Sequence, residues 1–285
     1  MGGRLVPLLL SRGYRVRACA RNPRRLENRP WAGHANVEIV AMDALDLASV
    51  DAAVTGCGIV YYLIHSMIAG KSGFAEADRT AALNMAAVAA VRKVKRIIYL
   101  GGLGETDHPD LSDHLRSRHE VEEIFNQGAV PATCLRAAMI LGAGSASFEM
   151  LRYLVERLPA MTTPRWVRSL NQPIAIRNVV QFLTGVLLNS VAYDKSFDIG
   201  GPDVITYREL LEIYARRAAH QGFAFPEPDE EYRAFAASFE FEETAERALP
   251  AEGAAEVEVR NAFGEVRVIP GGKTVVYELQ VAPDD

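Results

Sequence analysis

Cysteine and tryptophan are scarce in this 285-residue chain, at three and two. Cys19, Cys57 and Cys134 are odd in number and far apart, with no Cys-x-x-Cys pair and no Cys/His ligand spacing. That spacing excludes a disulfide framework and a structural zinc, so no metal is expected and a reducing cytoplasm is the expected compartment. No apolar run reaches the roughly 18 residues that a bilayer span requires. The N-terminus lacks the basic, apolar, small-residue order of a secretory signal. Lysine is also rare, at five of 31 basic residues. Most positive charge is therefore carried on planar guanidinium forks, which suit phosphate. No repeat occurs at a solenoid period.

What is present reads as a globular protein, with 49% hydrophobic and 24% charged residues. The net charge of −5 hides an asymmetry. Residues 221–285 hold 15 acids and 5 bases, whereas residues 1–220 hold 21 acids and 26 bases. The pattern changes at the same place. Up to residue 220, strand-like runs alternate with helical ones: Tyr14–Ala20, Val37–Met42, Gly58–Ile64, Arg96–Leu100 and Ala132–Leu141 against Leu5–Leu10, Leu47–Val54, Phe74–Val91, Ser112–Asn126 and Phe148–Leu158. Such alternation predicts an α/β fold with a parallel sheet covered on both faces. Gly13 is a helix stop, Asp46 a cap, Asn178 a cap for a helix Val179–Asn189, and Thr206–Glu209 a capping box. Beyond Gln221 come a Pro- and acid-rich linker and three alternating runs, Glu256–Arg260, Glu265–Ile269 and Thr274–Val281, which read as an antiparallel meander. Two regions are expected: residues 1–220, and residues 221–285 as an acidic, β-rich extension without assignable chemistry.

In a Rossmann-like doubly wound sheet the ligand lies beyond the carboxyl ends of the strands, so the residues just after each strand are the candidates. Arg21 follows the first strand, where an arginine meets a 2′-phosphate. Asp43, with Ala44, follows the second and can accept from an adenine amino group. Leu63, Ile64 and His65 follow the third, and Gly101 and Gly102 the fourth. The plainer readings are a solvated Arg21 ahead of Pro23 and an Asp43 that makes a turn.

At these residues the sequence resembles the atypical short-chain dehydrogenase/reductase superfamily, and within it the bacterial NmrA-like, NAD(P)-binding members. The likeness runs through Gly2-Gly3-Arg4-Leu5-Val6, Val16–Arg21, Met42-Asp43, Tyr61–Met67, Tyr99–Gly104, His114–Arg118, Gly144–Glu149, Pro164–Arg168, Ile199–Asp203 and Thr206–Glu209. It implies a dinucleotide ligand, NADP or NAD with NADP favoured through Arg21. It also implies hydride transfer with a small carbonyl or alcohol substrate of unknown identity. Leu63–His65 would then flank the adenosine and ribose, and Arg118 would stand near the nicotinamide ribose.

Two departures qualify the resemblance. Gly2 and Gly3 match only the end of the family's GxxGxxG loop, and no strand precedes them, so the chain is read as missing the first strand. A missing central strand leaves interior N–H and C=O groups unpaired at about 1–3 kcal/mol each. The family also uses Tyr-x-x-x-Lys for proton transfer, and none of the ten tyrosines has a lysine four residues on. His114 and Arg118 stand at the matching helix, and Gly101 or Gly102 replaces the usual serine. His114 can move a proton near neutral pH or be a solvated helix-start residue. The rival readings are a non-catalytic NADP(H) sensor and a remnant without ligand.

Three other constellations read as structural. His108, Asp110, Asp113, His114 and His119 are dense, but the helical histidines stand five apart and point different ways. The Gly142–Ser147 stretch lacks the lysine of a P-loop. Trp166 between Arg165 and Arg168 invites a nucleic-acid reading that the overall acidity and absent basic stripe oppose.

Overall fold

A computed structural model describes residues 1–64, 73–104, 112–142, 145–157, 165–220, 257–261 and 264–268. His65, His108, Asp110, Ala143, Gly144, the acidic linker and Thr274–Val281 lie outside the described residues, as does the Trp166 side chain. The chain divides into two compact units. The first comprises Met1–Gly102, Asp113–Arg136 and Arg177–Phe197, and the second comprises Leu103–Ser112, Ala137–Ile176 and Asp198–Asp285.

The first unit opens with helix α1 (Gly2–Ser11), which starts three residues earlier than its apolar pattern suggests. Gly2, Gly3 and Pro7 are poor helix formers, by about 1 kcal/mol for each glycine and 3 for proline. Burial of Leu5, Val6 and Leu9 is what holds the helix. Gly13, at φ +80°, turns the chain as expected. Strands β1 (Val16–Ala20) and β2 (Val37–Ala41) follow, with the short helix α2 (Arg24–Glu27) between them. They pair in parallel, Val16 opposite Val37. Ala18 packs with Val6 and Trp31, while Arg17 points to the other face and donates to the carbonyls of Ala53 and Thr55 at 2.8 and 2.7 Å.

Helix α3 (Leu47–Val54) is capped by Asp46, whose Oδ1 accepts from Ala48 N at 3.0 Å. Then come β3 (Ile59–Tyr62), α4 (Phe74–Val91), β4 (Arg96–Gly102) and α5 (Asp113–Asn126). The predicted strand 132–141 is split: β5 (Ala132–Ala137) and β6 (Ile140–Leu141) belong to different sheets. Adjacent tyrosines show that the main sheet is covered on both faces. Tyr62 meets Phe125 of α5 at a 4.8 Å ring separation, whereas the Tyr61 hydroxyl donates to Leu183 O of α7 (Ile176–Gly185) at 2.9 Å. Successive strand residues face opposite sides, so α5 and α7 cover opposite faces. Helix α7 begins two residues before Asn178, which is therefore an interior residue and not the expected cap.

The main sheet has the order β3-β4-β5-β9, with β9 spanning Lys195–Ile199. Strands β3 and β4 run parallel, Ile59 opposite Arg96. Strands β1 and β2 form a separate sheet, and no ladder joins β1 to β3. The break falls where the missing strand was expected. Val16 N donates to Asn36 O and Met42 N to Ala20 O, so Val16, Ala18 and Ala20 direct their peptide groups toward β2. Arg17 and Cys19 direct theirs away. Lys95 N donates to Gly58 O, so by the same alternation Ile59 and Tyr61 turn theirs away from β4.

The second unit has its own core, with Met139, Leu151, Val155, Val167, Leu210 and Leu211 buried together. Its elements are β6, α6 (Ala146–Arg157), β7 (Leu170–Asn171), β8 (Ile174–Ala175), β10 (Ile205–Thr206), α8 (Tyr207–His220) and the hairpin β11 (Val257–Asn261) and β12 (Gly264–Val268). The capping box is present: Thr206 N donates to Glu209 Oε2 at 2.7 Å, and Glu209 N donates to Thr206 Oγ1 at 3.2 Å. Val257 and Val259 pair with Val268 and Val266, and Glu258 and Arg260 pair with Arg267 and Glu265. This alternation matches the first two runs of the expected meander.

Candidate functional site

Every described candidate residue lies in the first unit. Gly2 and Gly3 form the first turn of α1, where backbone N–H groups lack helical acceptors. No acidic residue occupies that turn. The fields of Arg4 and Arg29 and the effect of burial, the largest of the three, hold the terminal amine below its ordinary value. Arg29 also lies beside the helix start, with Nη1 3.7 Å from where a Gly3 Cβ would be. A helix start that is positive and free of acids fits a phosphate.

Arg21 is exposed at the bend after β1. Asp43 makes a turn: its Oδ1 accepts from Leu45 N at 3.1 Å, and its own N–H donates to Ser49 Oγ at 2.9 Å. Ala44 is buried, and its carbonyl accepts from Asn84 Nδ2 of α4 at 3.0 Å. Asn84 was missed in the sequence, where a single asparagine in an alanine-rich helix is the only signal. Leu63 and Ile64 follow β3, and Ile64 packs against the main core.

The fourth strand end carries the tightest cluster. Gly101 and Gly102 are the last residues of β4, not loop residues beyond it. Arg118, on α5, donates from Nε to His114 Nε2 at 3.0 Å. Residues four apart share a helix face, and His114 and Arg118 meet on one. A Cβ at position 102 would stand 2.9 Å from both Arg118 Cδ and Leu115 Cδ2. The glycine is what lets the arginine lie across the strand end. From beneath, the Tyr99 hydroxyl donates to Arg118 O at 3.2 Å. Burial pulls the Arg118 pKa below its ordinary value and pushes the Tyr99 phenol up, so the phenol stays protonated. Since Nε2 accepts, the neutral His114 ring carries its proton on Nδ1. His119, five residues on, is buried at 6% exposure and lies on a different face of the helix.

A family model described as NAD(P)H-binding matches residues 1–151, just over half of the chain. The chain belongs to the NAD(P)H-binding family. Its fold is shared with solved structures of low identity. A short-chain dehydrogenase/reductase superfamily protein from Agrobacterium tumefaciens with bound NAD has a TM-score of 0.61 at 16% identity, covering 80% of this chain and 82% of that one. A dTDP-glucose 4,6-dehydratase, DesIV, from Streptomyces venezuelae with NAD bound has a TM-score of 0.64 at 13% identity, covering 80% and 82%. A nucleoside-diphosphate-sugar epimerase from Staphylococcus aureus has a TM-score of 0.61 at 16% identity, covering 84% and 79%. Separately, 40 residues are 55% identical to the transcription-repair-coupling factor of Escherichia coli, 14% of this chain but only 4% of that protein.

For an NAD(P)H-binding protein of this fold, the strand ends and the start of α1 are the residues that would hold a nicotinamide dinucleotide. Among the described residues, no helix is long and apolar enough to cross a membrane.

Proposed function

We propose that the chain is an atypical, NmrA-like, NADP(H)-dependent oxidoreductase acting on a small carbonyl or alcohol. The observation that carries this reading is the hydrogen bond from Arg118 Nε to His114 Nε2 beside the glycine end of β4. The bound nicotinamide would supply or accept the hydride. His114 would then offer a ring N–H to the carbonyl oxygen and stabilise charge as it develops there, the proton that completes the alcohol coming from water. Arg118 keeps that ring oriented, and its remaining N–H donors suit the nicotinamide ribose. Arg21 takes a 2′-phosphate, the Asp43–Ala44 turn and Leu63–Ile64 flank adenine and its ribose, and the start of α1 at Gly2 and Gly3 faces the diphosphate.

A charge-assisted contact is worth about 1.5–3 kcal/mol, so NADPH is expected to bind about tenfold or more tightly than NADH. The Arg21→Ala variant is expected to lose most of that preference in calorimetric titrations. Equal affinities of the native chain for the two cofactors would remove Arg21 from the site.

The absence of a hydroxyl at position 102 favours a second reading, a non-catalytic NADP(H)-responsive regulator. A panel of small aldehydes and ketones, followed through nicotinamide absorbance, separates the two. Turnover that falls about a hundredfold in His114→Ala, the lower end for loss of one donor to a developing oxyanion, supports the enzyme. Tight NADPH binding without turnover supports the regulator.

A further inference from the structure

The turn after β2 is gripped at both ends of a single peptide unit, the one that joins Ala44 to Leu45. Its N–H, on Leu45, donates to Asp43 Oδ1 at 3.1 Å. Its carbonyl, on Ala44, accepts from Asn84 Nδ2 of α4 at 3.0 Å. In a trans peptide these two groups point opposite ways across one rigid plane, so the plane is held between α4 and the Asp43 carboxylate. Among the described residues, the other hydrogen bonds of residues 43–49 are local: Asp46 N donates to Asp43 O, Asp43 N to Ser49 Oγ, and Ala48 N to Asp46 Oδ1. Those move with the turn. The bond from Asn84 is the one that ties it to another element.

Asn84 stands in a stretch of α4, Ala81–Val91, otherwise made of alanine, leucine, methionine and valine. Asparagine is a poorer helix former than alanine, so the residue weakens its own helix and acts elsewhere. Ala44 is 8% exposed, and a buried carbonyl stripped of its donor is costly. A carbonyl only accepts, so the amide must present its NH₂ to it. At the far end of the peptide, Asp43 Oδ1 is taken by Leu45 N, and Oδ2 carries no hydrogen bond among the described residues. A carboxylate with one oxygen fixed has the other aimed.

We propose that Asn84 is a positioning residue that sets which purine the site accepts: through the Ala44–Leu45 peptide it holds Asp43 Oδ1, and so presents Asp43 Oδ2 to a base that carries an amino group. That the base is the adenine of a dinucleotide rests on the reading above. The clamp itself does not, and it is measured without cofactor.

The test uses the full chain and begins with amide exchange at Leu45. Asn84→Asp keeps the shape of the side chain but offers Ala44 O only an acceptor. The Leu45 amide is expected to exchange about tenfold or more faster in that variant than in the native chain, with Ala89 of α4 unchanged. Calorimetry then compares NADPH with its hypoxanthine analogue, in which an oxygen replaces the amino group. The native chain is expected to prefer NADPH about tenfold or more, the weight of one hydrogen bond to a charged group. Asn84→Asp is expected to bring the two purines within about twofold, under 0.5 kcal/mol, while the preference for NADPH over NADH is kept. A general loosening of the fold would weaken all three cofactors together. Asp43→Asn, with one acceptor oxygen where two are needed, should level the purines likewise, and the double variant should add nothing. If Asn84→Asp fails to fold, Asn84→Ala, a better helix former without the donor, takes its place with the same expectations. An unchanged Leu45 rate or a native purine preference in the Asn84 variant overturns the proposal, as does a native chain that binds both purines equally. Faster Leu45 exchange in the variant of a chain that binds no dinucleotide leaves the clamp standing and sinks only the NADP(H) reading.

Discussion

Replacing Arg96 by methionine is expected to destabilise the first unit by at least about 2 kcal/mol, since it strips the donor from two buried acceptors, Leu187 O and Thr133 Oγ1, at about 1–3 kcal/mol each. Arg96 opens β4 and is fully buried. Its Nε donates to Thr133 Oγ1 at 3.0 Å, and Nη1 reaches the carbonyls of Leu187 and Asn189 at 3.3 and 3.2 Å and also that of Val186. The guanidinium lies 4.0 Å from the centre of the Tyr193 ring. One side chain thereby ties β4 to the turn after α7. Methionine matches the stem but leaves Leu187 O and Thr133 Oγ1 without that donor, while the carbonyls of Val186 and Asn189 keep those of Asn189 N and Ala192 N. Relief of the desolvated charge, which holds the Arg96 pKa below its ordinary value, offsets part of that loss. Lysine should recover little, because a point charge does not reproduce the fork. Urea unfolding followed by tyrosine fluorescence checks this, with the midpoint falling and the slope unchanged. A loss under about 1 kcal/mol, the net value of one ordinary hydrogen bond, would show that the carbonyls find water instead.

Introducing a serine at the end of β4, by Gly102→Ser, is expected to impair the site. The new Cβ would lie 2.9 Å from Arg118 Cδ and from Leu115 Cδ2. The arginine cannot swing aside cheaply, because its Nε is bonded to His114 and its backbone carbonyl to Tyr99. Overpacking of this kind typically costs about 1–3 kcal/mol. If that cost falls on the bound state, NADPH affinity or turnover drops by about tenfold or more, since each 1.4 kcal/mol is a factor of ten. Gly102→Ala should do nearly the same damage, which marks the effect as steric and independent of the hydroxyl. Higher activity in the serine variant than in the alanine variant would show instead that the hydroxyl is used.

Local chemistry explains which features could be read before the structure. The parallel α/β order followed from period-2 and period-3.6 patterns, and caps at Asp46 and Thr206 followed from residue type, because those signals act within one turn. Features set by partners distant in sequence were not readable. Helix α1 starts at Gly2 against its own propensity because Leu5, Val6 and Leu9 are buried. The continuous apolar run 132–141 hid a change of sheet. The resemblance put His114 and Arg118 at the matching helix, but nothing local showed that Gly102 makes room for the arginine. Asp43 illustrates the opposite case: its turn contact is local and was legible, whereas any contact with adenine is not.

The interrupted sheet leaves a record in the rates at which peptide amides trade hydrogen with solvent. Arg17, Cys19, Ile59 and Tyr61 turn their peptide groups away from the paired neighbours of β1 and β3, while Ala18, Ala20, Val60 and Tyr62 turn theirs into the ladders. Deuterium uptake along β1 and β3 should therefore alternate residue by residue, fast at odd positions and slow at even ones. In a strand paired on both sides, neighbouring amides are protected together and open together. An alternating trace would make these two strands edges in solution, and a strand added between them would erase the alternation in both at once.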